Sequence, residues 1–146
     1  MLQACLLYDI GKISIKDAIL NKPGRLTDEE FSEMKKHTIF GERIIQKIES
    51  MAGECDLTKY AKIFAVSHHE KWDGTGYPRG LEGADIPILG RMMAIFDVYD
   101  GLTSIRPYKE PFTHEQAVEI ITGASGTLFD PVLIEVFELV SEKFRK

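Results

Sequence analysis

The protein has 146 residues, of which 44% are hydrophobic and 28% are charged, a length and composition typical of one globular domain. Its formal net charge of −5 argues against a surface that binds nucleic acid by bulk electrostatics, so we expect no nucleic-acid partner. No apolar run reaches membrane-spanning length, and the only two cysteines, Cys5 and Cys55, stand apart. This favours a cytoplasmic location without a thiolate metal site.

The first seven residues are mostly apolar and have neither a helix cap nor a polar lead-in. Such a segment is typical of the middle or end of a buried helix. We therefore expect the domain to begin upstream in its natural setting. Apolar surface left around Leu2, Leu6 and Leu7 would then favour a homodimer.

Most of the remaining chain has helical patterning, and no alternating strand pattern occurs, so we predict an all-α fold in a single domain over residues 1–146. A capping box at Thr27–Glu30 opens a helix through about Lys36. Further helices are predicted for Thr38–Ser50, for Asp56 (as cap) to His69, from Pro87 through Leu102, after a second capping box at Thr113–Gln116, and from Asp130-Pro131 through Phe144.

A long glycine-rich loop joins two of these helices, from Trp72 to Pro87. Long loops in compact domains are usually functional or disordered. Because this one carries Trp72, Tyr77 and Arg79, we interpret it as an ordered, functional loop.

The pair His68-His69 stands at the end of a predicted helix, just before this loop. Adjacent helical residues point about 100° apart, so the two imidazoles can serve two neighbouring metals, or one metal and a substrate. A pair of surface or capping histidines is the alternative. The glycine-rich loop that follows favours the functional interpretation.

Asp97 and Asp100 lie in an otherwise apolar helix, where an unpaired carboxylate is costly to bury. Asp97 is the stronger candidate for a metal ligand, and an exposed polar stripe of Asp97, Asp100 and Ser104 is the alternative.

Several other polar groups have plain structural interpretations when taken alone. Asp9 could bridge metals and Lys12 could face a phosphate, although an ordinary helix end at Gly11 is the simpler interpretation. Arg106 and Lys109 can grip a phosphate or belong to a solvated loop. His37 is a weaker candidate ligand, and His114 is expected to be a surface residue.

Together these groups offer imidazoles and carboxylates without thiolates, a set that suits Mn, Fe, Zn or Ni. In this order and spacing, they closely resemble the HD-GYP subgroup of the HD phosphohydrolase superfamily. The matching stretches are Tyr8–Lys12, Ala18–Gly24, Met34–His37, His68–Pro78, Phe96–Ser104, Arg106–Lys109 and Gly126–Pro131.

The resemblance implies an HD-domain-like helical bundle with a long Gly-Tyr-Pro loop, built around two or three divalent metal ions. It implies hydrolysis of the bacterial second messenger cyclic di-GMP. By position it also implies roles for individual residues: Asp9, His37, His68, His69 and Asp97 as metal ligands, Asp9 and Lys12 as catalytic groups, and Tyr77, Arg106 and Lys109 as substrate contacts.

The chain departs from the family at Tyr8, which stands where the name-giving histidine of the motif is expected. A phenol, with a pKa of about 10, is a poor substitute for an imidazole ligand at neutral pH. We also expect the family's N-terminal helix, which brings further ligands, to be lacking. Three hypotheses remain: a weakly active cyclic di-GMP phosphodiesterase, a degenerate domain that binds the nucleotide or a signalling protein, and a phosphohydrolase of another nucleotide. The Gly-Tyr-Pro loop disfavours the third.

Overall fold

The computed structural model describes residues 2–105 and 110–145. Within these ranges the secondary structure is helical, and only isolated β-bridges occur outside the helices. The all-α class predicted from the sequence is confirmed. The chain divides into two compact units, Met1–His69 and Glu70–Lys146. That residues 1–146 form a single domain stays a prediction.

The first unit is arranged around two long helices. Helix α4 (His37–Ala52) packs against α5 (Asp56–Ser67) and against the short 3-10 helix Ile10–Ser14, while α1 (Leu2–Cys5) packs against α5. The elements of this unit are α1 (Leu2–Cys5), a 3-10 helix (Ile10–Ser14), α2 (Asp17–Leu20), α3 (Asp28–Lys35), α4 (His37–Ala52) and α5 (Asp56–Ser67).

Local capping signals set where α3 and α5 begin. The predicted capping box is confirmed: Glu30 N donates to Thr27 Oγ1, and Thr27 N donates to Glu30 Oε2. The prediction that Asp56 caps α5 is wrong, because the N-cap is Cys55, whose N–H donates to Thr58 Oγ1 over 3.3 Å. Asp56 is instead the first helical residue, where its charge faces the positive end of the helix dipole.

The N-terminal segment is only partly buried. Ala4 is fully buried, but Leu6 is 80% exposed and Leu7 is half-buried. The apolar exposure expected around Leu2, Leu6 and Leu7 is therefore present at Leu6, whereas Leu7 is half-buried and the side chain of Leu2 lies outside the described part of the structure. The helix stop predicted at Gly11 is wrong, since α1 ends at Cys5 and Gly11 lies inside the 3-10 helix Ile10–Ser14.

The second unit holds three helices around an apolar core. Its elements are a 3-10 turn (Gly83–Asp85), α6 (Ile88–Thr103), α7 (His114–Gly123), α8 (Pro131–Val140) and a 3-10 helix (Ser141–Phe144). The buried core consists of Ala94, Ile95, Tyr99, Ala117, Ile121, Phe129, Ile134 and Phe137. The sequence anticipated the start of each helix here. The last helix ends four residues earlier than expected, because the chain tightens into the 3-10 helix at Ser141.

Candidate metal centre

Three segments of the first unit bring polar side chains together at one point. Asp9 directly precedes the 3-10 helix, His37 is the first residue of α4, and His68 and His69 directly follow α5. One ligand atom from each of the three histidines lies within 4.8 Å of the others. The sequence-predicted residues Asp9, His37, His68 and His69 are thus neighbours in space.

A close backbone approach makes this convergence possible. A Cβ atom on Gly11 would stand 1.9 Å from the carbonyl oxygen of His37 and 2.4 Å from the backbone nitrogen of Gly41. A Cβ on Gly41 would stand 3.1 Å from the Cβ of Ala65 on α5. Small residues on all three segments therefore let the backbones that carry the cluster approach one another.

Backbone carbonyls fix the tautomers of two of the histidines. His37 Nδ1 lies 2.7 Å from the carbonyl oxygen of Met34, and His68 Nδ1 lies 2.8 Å from that of Phe64. A carbonyl oxygen can only accept, so each Nδ1 carries the proton. In the neutral imidazoles each Nε2 therefore presents a lone pair, the arrangement that orients histidines toward a metal.

The Nε2 atoms and one carboxylate oxygen face one another. The two Nε2 atoms are 3.5 Å apart, and Asp9 Oδ1 lies 3.4 Å from His37 Nε2 and 3.8 Å from His68 Nε2. Asp9 Oδ1 is buried and accepts no hydrogen bond among the described residues. Three electron-pair donors this close repel one another unless a proton or a cation lies between them.

The separations of 3.5 Å and 3.4 Å fit two ligands of one divalent cation, and the 3.8 Å between Asp9 Oδ1 and His68 Nε2 is slightly wider. Bonds of about 2.0–2.2 Å from a metal to nitrogen or oxygen ligands place neighbouring ligand atoms about 3.0–3.6 Å apart. The donor chemistry, imidazole and carboxylate without thiolate, suits transition-metal ions such as Mn, Fe, Ni or Zn. The cluster is therefore a possible metal-binding site.

His69 completes the cluster as a neutral imidazole. Its ring centroid lies 4.1 Å from that of His68 and 5.1 Å from that of His37. Burial is the main cause that lowers the pKa of His69 to about 2, and the proximity of His68 and His37 lowers it further. A neutral imidazole is the form that binds a metal.

Lys12 and Tyr8 flank the cluster. Lys12 Nζ lies 2.5 Å from Asp9 Oδ2, so the two carboxylate oxygens face different partners, and the Lys12 side chain remains 40% exposed. The Tyr8 ring packs edge-on against His68 at a centroid distance of 5.0 Å. The residue that departs from the family motif thus contacts one of the candidate ligands.

The remaining predicted site residues belong to the second unit. Asp97, on α6, and Tyr77, in the glycine-rich loop, are both half-buried, and their roles stay predictions. Asp100 is exposed and accepts a hydrogen bond from Ser104 Oγ over 3.2 Å, as in the polar-stripe alternative. Arg106 and Lys109 lie outside the described residues.

His114 is not the surface residue that the sequence suggested. Its side chain is 8% exposed. The hydroxyl of Tyr99 lies 2.7 Å from His114 Nδ1, from which it can accept, and donates its own proton to the carbonyl oxygen of Phe144. His114 therefore helps to hold the end of the chain against α6 in the second unit.

Sequence reasoning missed Glu70, the residue that directly follows the histidine pair. Only 3% of it is exposed, and its two carboxylate oxygens accept the backbone N–H groups of Arg79 and Leu81. The one signal was an acidic side chain between an apolar helix and a glycine-rich loop. The sequence position alone does not identify the backbone N–H groups that the Glu70 carboxylate binds.

The convergence of histidines and an aspartate from separate segments makes the first unit a helical domain with a candidate metal site. Comparison with known families makes this specific: residues 1–133 match the HD domain family, and the chain belongs to this family. The resemblance inferred from the sequence is thereby confirmed, and it is supported by relatives named cyclic di-GMP phosphodiesterases.

Two curated relatives from Vibrio cholerae illustrate the similarity. A probable cyclic di-GMP phosphodiesterase is 48% identical over 143 residues, which are 97% of this chain and 32% of the relative. A 3'3'-cGAMP-specific phosphodiesterase is 45% identical over 130 residues, which are 89% of this chain and 24% of the relative. The chain thus spans about a third or less of the length of these relatives.

A solved structure shows the same fold. The crystal structure of a cyclic GMP-AMP specific phosphodiesterase from Vibrio cholerae matches with a TM-score of 0.54 and 21% identity, over 97% of this chain and 38% of that one. Among the described residues, no helix has both the length and the apolar character needed to cross a membrane.

Proposed function

We propose that the protein is the metal-dependent phosphohydrolase domain of a cyclic di-GMP phosphodiesterase, with low activity. One observation carries this proposal: Asp9 Oδ1 and the Nε2 atoms of His37 and His68 face one another within 3.8 Å, and the buried oxygen accepts no hydrogen bond from the residues that the structure describes. The names of the relatives support cyclic di-GMP as the substrate.

Asp9, His37, His68 and His69 would hold the divalent metal in the first unit, with Asp97 proposed as a further ligand. A divalent ion bound there supplies Lewis acidity and activates water for attack on a phosphate ester. The metal identity we propose is Mn, Fe, Ni or Zn, the ions that suit this ligand set.

The charged and aromatic side chains would bind and orient the substrate. The Lys12 ammonium is held by Asp9 Oδ2 at 2.5 Å yet is partly exposed, so it can reach an anionic phosphate. By position in the family motif, Tyr77, Arg106 and Lys109 are proposed contacts to the nucleotide. Asp9 would contribute both to metal binding and to substrate binding, because its Oδ1 faces the histidines and its Oδ2 orients Lys12.

A specific observation favours a second candidate, a domain that binds a cyclic dinucleotide or a signalling protein without turnover. Tyr8 places an aromatic edge against His68 at the position where the motif has its histidine. The centre then has fewer imidazole ligands, and metal affinity depends on the number of ligands and on the groups that orient them.

The setting of this activity is also proposed. We infer a cytoplasmic domain in bacterial second-messenger signalling, without nucleic-acid or membrane partners. The 80% exposure of Leu6 supports a homodimer through the N-terminal apolar surface.

Hydrolysis assays on the purified protein distinguish these candidates. The protein is stripped with a chelator, reloaded with Mn²⁺ or Fe²⁺, and incubated separately with cyclic di-GMP and with 3'3'-cGAMP. We expect slow, metal-dependent hydrolysis of cyclic di-GMP that is lost in His68→Ala. Binding without turnover selects the second candidate, and turnover that survives chelation or His68→Ala refutes the proposed metal centre.

A further inference from the structure

Glu70 is a buried carboxylate at the start of the glycine-rich loop. It is only 3% exposed. Its Oε1 accepts the backbone N–H of Arg79 over 2.8 Å, and its Oε2 accepts that of Leu81 over 3.0 Å. Both oxygens thus bind backbone that is nine and eleven residues further along the chain. Hydrogen bonds to a charged acceptor are stronger than those between neutral groups.

The loop between these residues folds back onto Glu70. A Cβ on Gly76 would stand 2.3 Å from the backbone nitrogen of Lys71 and 2.6 Å from Glu70 Cα, so only glycine fits there. Gly83 N donates to the carbonyl oxygen of Trp72 over 2.9 Å and closes the base of the loop. Tyr77 lies in the sequence between the Gly76 contact and the first Glu70 hydrogen bond.

This loop has little regular structure to hold its shape. Its described residues include only an isolated bridge between Asp73 and Glu82 and the short 3-10 turn Gly83–Asp85. The backbone N–H groups of Arg79 and Leu81 donate to the side chain of Glu70 and not to another backbone group. The conformation of the segment therefore depends on Glu70 more than on a ladder of backbone hydrogen bonds.

We propose that Glu70 is a positioning residue for nucleotide binding: its carboxylate fixes residues 76–81 and thereby presents Tyr77 to the substrate. The inference rests on the proposed function, because the contact of Tyr77 with a cyclic dinucleotide is part of it. A purely structural role for Glu70 would change stability alone. A positioning role weakens nucleotide binding while the histidine cluster keeps its metal.

Glu70→Gln tests the proposal with little change in volume. The amide oxygen can still accept one N–H, but the amide NH₂ faces the other donor, so one hydrogen bond is replaced by a repulsive contact. We expect hydrogen exchange at Arg79 or Leu81 to become about tenfold faster, and the Kd for cyclic di-GMP to rise about tenfold. Metal content should stay at the wild-type value.

Glu82→Gln is the matched control, since Glu82 is an exposed carboxylate of the same loop; its affinity and exchange rates should equal those of the wild type. Gly76→Ala disturbs the loop from the opposite side and should also weaken cyclic di-GMP binding while the metal content is retained. This second variant keeps the proposal testable if Glu70→Gln does not fold. If the wild type binds cyclic di-GMP and both Glu70→Gln and Gly76→Ala bind it equally well, the positioning role is refuted while the proposed function stands. If the wild type binds no cyclic dinucleotide, the proposed function fails and this role fails with it.

Discussion

Tyr8 is the single residue on which the chemistry of the centre depends most. Its ring contacts His68 edge-on at 5.0 Å, so a side chain at this position reaches the cluster. A neutral phenol offers a much weaker ligand than an imidazole, because the phenolate that binds metal forms only near pH 10.

Replacement of Tyr8 by histidine should therefore increase metal binding. We expect Tyr8→His to raise the metal-to-protein ratio measured by elemental analysis after equal exposure to Mn²⁺ or Fe²⁺. Tyr8→Phe is the control and should match the wild type. Equal ratios in Tyr8→His and the wild type would show that this position does not limit the centre.

Gly11 acts through the backbone. Because its Cβ would stand 1.9 Å from His37 O, Gly11→Ala forces the 3-10 helix away from the start of α4. Overpacking of this kind costs about 1–3 kcal/mol or more, and it should separate Asp9 from His37.

Thermal unfolding of Gly11→Ala should show a clear fall in Tm, together with lower metal content. Gly123→Ala provides the comparison, since the added Cβ would meet no described heavy atom within 4 Å beyond its chain neighbours and its own helix backbone, and Gly123 is the last residue of α7. Its Tm should stay equal or rise slightly, as expected for glycine to alanine in a helix. A Gly11→Ala protein as stable as Gly123→Ala would refute the close-approach argument.

At the scale of elements, sequence patterns located helices well where the signal was local. The boxes at Thr27–Glu30 and Thr113–Gln116 join residues three apart, so the sequence displays both partners. Three residues whose structural setting the sequence did not reveal, Gly11, His114 and Glu70, have partners that are distant in the sequence instead. Gly11 meets Gly41, Tyr99 meets His114, and Glu70 meets Leu81, and no local pattern reveals such pairs.

Asp130 shows how one side chain can serve two helices of the second unit. Its Oδ1 caps α8 by accepting from Val132 N over 2.9 Å, and its Oδ2 lies 2.6 Å from Arg91 Nη1 on α6. Asp130 is 4% exposed. Removal of the carboxylate therefore loses a cap and leaves a largely buried guanidinium without this partner.

We expect Asp130→Ala to lower the free energy of unfolding by about 3 kcal/mol, against about 1 kcal/mol for the exposed cap in Thr27→Ala. Asp130→Asn keeps an oxygen for the cap and should fall between them. Urea denaturation measures all three variants. Equal losses of unfolding free energy in Asp130→Ala and Thr27→Ala would mean that the ion pair with Arg91 does not stabilise the fold.

At the scale of the whole molecule, the sequence supplied the identity of the cluster but not its geometry. The motif order predicted that Asp9, His37, His68 and His69 belong together, and the first unit brings them together. The tautomers set by Met34 and Phe64 could not be predicted, because they depend on the direction in which each ring leaves its helix end. Asp97 and Tyr77 belong to the second unit, and their roles stay predictions.

The most direct test is a calorimetric titration of the chelator-treated protein with Mn²⁺. His114 is the one histidine of the four in the sequence that lies outside the cluster, which makes His114→Gln the matched control for His68→Ala. Circular dichroism verifies that both variants keep their helices. We predict saturable binding in the wild type and in His114→Gln, and binding at least about tenfold weaker in His68→Ala, as expected when a metal ligand is removed. Equal affinity in the wild type and His68→Ala would contradict the assignment of the cluster as the metal centre.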